Sequence, residues 1–268
     1  KKILDIEKLH RRMGLNICSP YEFFSIHTSY TYLSKILEIT KVSLPEINQT
    51  YLETIQNLET LRNDYLSVFQ INELEKYSML NMITSVFQGN IYPDLDILQN
   101  DINQGLLKID LICERLNKYI DPKRDGCIKK DNNEKYGYYL YVTDNRAKTF
   151  HKSISNLANT IIKIDDFSLD LKDVKFTKRG GNTHLEFPKL IEITNKYSTD
   201  RLKIQGLNKE YFIKRTGEFY EQYKDLMVEL VDLIGHLDLN SCLAKLSVEN
   251  VYRKPEIIDS TKSMMICE

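Results

Sequence analysis

The stretch KYGYYLYVT, residues 135–143, decides how this chain is read. Tyr138, Leu140 and Val142 alternate with Tyr139, Tyr141 and Thr143, and a period of two built from aromatic and branched residues spells a β-strand. The more apolar set, Tyr138, Leu140 and Val142, belongs on the buried side. Gly137 is expected to serve either a positive backbone angle or a close approach of another segment. Most of the surrounding sequence has a helical period, so the strand marks an interruption.

Immediately around it the chain keeps the character of a small separate unit. Residues 125–135, DGCIKKDNNEK, are polar and loop-like. Asp144 to Ile164 reads as an amphipathic helix with Ile154, Leu157, Ile161 and Ile164 on one face. In DVKFTKRGGNTHLEF, residues 173–187, Val174, Phe176, Leu185 and Phe187 alternate with polar residues around Arg179-Gly180-Gly181-Asn182. Glycine and asparagine tolerate positive φ, so this segment is a predicted hairpin.

Farther out the pattern is helical. Pro93-Asp94 opens a helix of about 27 residues with Leu95, Leu98, Ile102, Leu106, Ile109, Ile112, Leu116 and Tyr119 on one face; at ~1.5 Å per residue it spans roughly 40 Å before Asp121-Pro122 stops it. Beyond the insert, Phe212, Phe219, Tyr223, Leu226, Leu230, Leu233 and Leu237 form a near-heptad, coiled-coil-like seam broken only at Thr216. The amino-terminal third reads as shorter helices punctuated by Ser19-Pro20, Ser43-Leu44-Pro45 and a Gln88-Gly89-Asn90 turn. The expected fold is mainly α: a helical bundle with two long antiparallel helices and a small α+β insert at their tip. The expected divisions are 1–122, 123–203 and 204–268.

The 268 residues, 42% hydrophobic, suffice for two domains, and the net charge of −1 excludes a uniformly basic protein. The distribution is informative: residues 123–203 hold 17 basic and 11 acidic side chains, an excess of six, against deficits of four and three on either side. Cys18, Cys113, Cys127, Cys242 and Cys267 show neither CxxC nor CxxH spacing, which argues for a reducing compartment without a zinc site. No uncharged run approaches the length of a membrane span or a signal peptide, so an intracellular protein is expected, located wherever the genome is replicated.

Catalytic patterns are missing from the sequence. His10, His27, His151, His184 and His236 are scattered, and neither GxxxxGK[ST] nor GxSxG occurs. The acid pairs Asp94/Asp96 and Asp165/Asp166 sit at helix starts or turns, where capping explains them. The chain itself is therefore expected to be neither an enzyme nor a cofactor binder. What remains is positive charge: Lys172, Lys175, Lys178 and Arg179 lead into the glycine turn with Asn182, and Lys129, Lys130, Arg146 and Lys148 lie around the other strand. Side chains and open backbone N–H groups there suit phosphate.

Four stretches carry a resemblance to the MutS family of DNA mismatch-repair proteins. Residues 4–26, LDIEKLHRRMGLNICSPYEFFSI, resemble the family's D-[LI]-E-[RK]-L…SP opening, and GNIYPDLDILQND at 89–101 resembles the segment that starts a lever arm. YGYYLYVT is similar to the GYY-[IL]-x-[VI]-[ST] strand that begins the clamp domain. Residues 229–257, ELVDLIGHLDLNSCLAKLSVENVYRKPEI, resemble the stretch before the ATPase domain.

The resemblance implies a lever and clamp piece of a larger ATPase that grips mismatched or damaged double-stranded DNA. ATP and Mg2+ would belong to the parent protein, which would be a homodimer through its ATPase domain, with no membrane partner. The chain ends at STKSMMICE, where that domain would begin. No stretch of these 268 residues resembles the family's amino-terminal mismatch-reading domain, so the chain is expected to be a piece of a larger protein or a divergent paralogue stripped of both domains. The insert is longer than the bacterial clamp, which points to a divergent branch such as that of large DNA viruses or organelles. A contrasting expectation is a helical scaffold whose insert docks another protein.

Overall fold

A computed structural model describes residues 3–43, 45–121, 126–133, 137–164 and 167–253. Leu44, Pro122, Tyr136, Asp165, Asp166, Cys267 and the end of the chain from residue 254 lie outside the described residues.

Helix α1, Ile6–Gly14, is capped by Asp5, whose carboxylate accepts from the Lys8 N–H at 3.0 Å. It ends where Asn16 takes a φ of +56°. Helix α2, Pro20–Ser43, begins with a reciprocal capping box: Ser19 N–H donates to Glu22 Oε2 at 2.8 Å, and Glu22 N–H donates to Ser19 Oγ at 3.3 Å. Helices α3 (Pro45–Thr50), α4 (Leu52–Val68) and α5 (Ile71–Leu74) follow. The helix expected before the Gln88-Gly89-Asn90 turn is replaced by irregular chain, held through a bridge between Phe69 and Phe87. Asn90, at φ +67°, makes the turn.

Helices α6 (Pro93–Asn117) and α8 (Pro188–Glu249) run antiparallel: Asp94 meets Tyr211 at 2.6 Å, whereas Asp101, further along α6, meets Lys196 at 2.7 Å, nearer the start of α8. Helix α8 has 62 residues, roughly 90 Å at ~1.5 Å each. It begins earlier than the seam alone reveals and passes residue 203 without a break. Thr194, Ser198 and neighbouring weak helix formers hide this part in the sequence. The hydroxyls of Thr194 and Ser198 bond back to the carbonyls of Ile191 (3.1 Å) and Thr194 (3.0 Å) within the helix. Thr216 is only 1% exposed and does not break the seam, because its hydroxyl donates to Phe212 O at 2.8 Å.

Between α6 and α8 lies the α+β unit. Strands β1 (Lys129–Asn133), β2 (Gly137–Thr143), β5 (Lys175–Arg179) and β6 (Asn182–Glu186) form an antiparallel sheet ordered β1-β2-β6-β5; strands β3 (Ile161–Ile164) and β4 (Phe167–Asp170) form a separate hairpin. Two expectations are corrected. The polar segment read as a loop contributes edge strand β1, whose side chains stay largely exposed, so no apolar alternation betrays it. The helix read as 144–164 is α7, Asp144–Ser155; after Asn156 the branched run from Thr160 to Ile164 pairs as a strand.

Two apolar cores result. The larger joins α2, α4 and α8 through Phe23, Tyr30, Leu58, Tyr65, Phe69, Phe212, Phe219 and Leu230. The smaller joins the end of α6, α7, one face of the sheet and the start of α8 through Ile112, Leu140, Val142, Phe150, Leu185 and Ile193. Leu140 and Val142 are 0% and 1% exposed, in the expected register. Tyr138 packs against both cores and meets Tyr197 edge to face at 4.8 Å. No described helix is long and apolar enough to cross a membrane.

Candidate nucleic-acid interface

The pleat of β5 separates the predicted basic cluster. Phe176 lies on the buried side with Leu185, its partner in register, so Lys178 shares that side, whereas Lys175 and Arg179 project from the open face. Lys178 reaches Asp144 at the start of α7, 2.7 Å away, and this contact holds the Asp144 carboxyl below its usual range. Arg179 pairs with Glu186 at 2.9 Å. Lys172 lies apart, in a single 3-10 turn, Leu171–Asp173, capped by Asp170. Asn182 stands opposite Arg179 across the Gly180–Gly181 turn. Gly180 has a φ of +61°, and a Cβ on either glycine would meet nothing within 4 Å, so the backbone of this turn is open to a close partner.

Toward edge strand β1, Lys130 pairs with Asp110 of α6, and Arg146 donates to the Cys127 carbonyl at 3.3 Å. Lys148 is exposed on α7 beside Asp144, and Lys129 is exposed at the edge strand. The nine predicted residues therefore surround one small unit without converging on a point. Such a distribution suits an extended polyanion better than a small anionic ligand.

No protein-family model matches the chain. The chain is 26% identical over 277 aligned positions to the putative DNA mismatch repair protein mutS homolog L359 of Acanthamoeba polyphaga mimivirus, an alignment covering 96% of this chain and 24% of that protein. It is 21% identical over 275 positions to the DNA mismatch repair protein MutS of Alkaliphilus metalliredigens strain QYMF, covering 99% of this chain and 27% of that protein. The chain is thus similar to MutS proteins of a virus and of a bacterium along nearly its whole length. The chain spans about a quarter of the length of the MutS relatives it matches.

The sequence pattern points to lysines and gives no hint of three rings that meet. Tyr139 of β2 and His184 of β6 stack with centroids 4.7 Å apart and planes 4° apart, and Tyr141 lies 6.0 Å from Tyr139 and 6.4 Å from His184. Burial and the nearby Arg179 guanidinium hold His184 below the usual imidazole range. The alternation in each strand signals that these residues point outward. That they meet depends on β2 pairing with β6, an approach of distant segments that no local pattern specifies.

Proposed function

We propose that this chain is the lever and clamp part of a MutS-like mismatch-recognition ATPase, gripping the duplex DNA backbone without reading its sequence. The observation that carries this reading is a basic unit with an open Gly180–Gly181 turn, standing where α6 ends and α8 begins. Positive charge at the end of a long antiparallel helix pair can embrace an object wider than a pocket. Lysine and arginine contacts to phosphate fix position and carry no base information. In the same reading, ATP and Mg2+ act in a nucleotide-binding part of the parent protein, through which it dimerises. A small rotation at the carboxyl-terminal end of α8 moves the insert, because a continuous helix transmits displacement along its length.

The test replaces Lys175, Lys178 and Arg179 together with alanine and measures duplex binding across salt concentrations in the chain and its full-length parent. Binding should weaken alike on matched and mismatched duplex, and the slope of log affinity against log salt should fall by about 0.9 for each phosphate left without its cation. An unchanged slope would shift the grip to Lys129, Lys130, Arg146 and Lys148. No duplex binding by the unaltered parent would favour a protein-docking scaffold.

A further inference from the structure

We propose that the open face of the four-stranded sheet is a stacking site for the unpaired bases of a single DNA strand. This goes beyond a grip on duplex backbone: it shares Lys129 and Lys175 with that reading and adds three rings that the grip does not use. Helix α7 covers one side of the sheet, where Phe150 meets Phe176 at 5.6 Å. The other side carries Tyr139, Tyr141 and His184 on the two central strands, with Lys129 on edge strand β1 and Lys175 on edge strand β5.

The charge on this face is arranged around the rings. Asp131 accepts from the Tyr139 hydroxyl at 3.2 Å, and Glu186 accepts from Arg179 at 2.9 Å, so both carboxylates are engaged by neighbours on the face. Lys129 and Lys175 stay exposed and make no ion pair among the described residues. With strands ~4.8 Å apart, the two lysines flank the rings across a sheet roughly 14 Å wide. Beside the stack, the first turns of α8 border a cleft of about 330 Å3 lined by Gly137, Tyr139, Arg179, His184 and Ile191.

A nucleic-acid strand has the complementary pattern, with flat apolar faces between phosphates. Rings on the central strands of a sheet receive base faces, while cations at its edges receive phosphates. A duplex cannot use such a site, because its bases already stack on one another and present only edges and backbone. The occupant chosen by the chemistry is therefore unpaired strand, as is produced where a duplex is opened.

The test compares a fluorescently labelled 20-nucleotide oligothymidine with an abasic strand of equal length, which keeps the phosphates and lacks the bases. The 268-residue chain should prefer the oligothymidine by about fivefold or more, the lower end of what one stacked base contributes. A Tyr139→Leu/Tyr141→Leu variant should lose that preference, and a Tyr139→Phe/Tyr141→Phe variant should keep it. A Lys129→Ala/Lys175→Ala variant should weaken both strands equally, with a salt slope reduced by about 0.7 for each phosphate left without its cation. Photo-crosslinking of an iododeoxyuridine strand, mapped by mass spectrometry, reads the unaltered chain and does not depend on any variant folding; crosslinks at Tyr139, Tyr141 or His184 support the site. Equal binding of the two strands, an undiminished preference in the leucine variant, or crosslinks confined to other segments would overturn it.

Discussion

Gly137 packs so closely against Ser198 of α8 that a Cβ on the glycine would stand 2.6 Å from Ser198 Oγ. Its φ is +66°, in the left-handed region. The first residue of β2 is thus fixed twice, by backbone angle and by close approach, and both depend on the helix that returns from the insert. Replacing Gly137 with alanine should cost at least about 1–2 kcal/mol from the backbone angle alone. Ser198 cannot turn aside freely, since its hydroxyl donates to Thr194 O at 3.0 Å. In a Ser198→Ala background the cost of Gly137→Ala should shrink but persist. A urea-denaturation cycle of the four proteins checks this, and complete rescue would show that the backbone angle carries no penalty.

Leu140 is 0% exposed and faces the smaller core between β1 and β6. Leu140→Ala should destabilise the insert by about 2–5 kcal/mol, as expected when a buried leucine leaves a cavity. Thr143→Ala, on the opposite side of the same strand, should change little. Thermal unfolding of the two variants compares the faces, and equal effects would contradict the register.

Asn208 is fully buried in α8 and donates from Nδ2 to the carbonyls of Met82 (3.0 Å) and Thr84 (2.7 Å). These bonds tie the irregular chain before α6 to the long helix. Asn208→Leu should leave the two carbonyls without their donor, costing about 1–3 kcal/mol for a buried group stripped of its partner. Amide exchange at residues 82–86 should accelerate beyond the change in global stability. Exchange that tracks global unfolding alone would argue against a local tie.

His10 is buried beside Tyr30, whose hydroxyl lies 2.6 Å from its Nε2. Burial lowers its pKa from 6.5 to about 4. Between these values the unfolded chain holds the proton more readily than the folded one. The contribution is therefore intact above pH 6.5, declines as the pH falls, and is lost below about pH 4. The gap corresponds to about 3 kcal/mol. His10→Gln should flatten the fall in stability between pH 6.5 and 4, measured by denaturation at stepped pH. An unchanged slope would assign the acid sensitivity to other groups.

Much of the mainly α architecture was legible because its signals are local. Ser19 and Glu22 close a capping box within four residues, and the seam from Phe212 to Leu233 repeats at the spacing of a helix surface. Gly180 and Asn182 announced a hairpin whose register follows from its turn. Local signals are weak or ambiguous in the insert. Ile161 and Ile164 fit a helical face as well as a strand, and only pairing with β4 decides between them. The polar strand β1 gains its order from hydrogen bonds to β2, which leave no apolar pattern in its own sequence.

The candidate site divides in the same way. Sequence alone determined that residues 123–203 carry the positive charge, that Tyr139 and Tyr141 lie opposite Leu140, and that glycines mark a turn. Tertiary structure decided that Lys178 is drawn to Asp144, that Lys130 is drawn to Asp110, and that His184 joins the tyrosines. The reason is physical: periodicity and capping act between residues a few positions apart, whereas an ion pair or a ring stack across strands exists only after distant segments have been brought into register by burying their shared core.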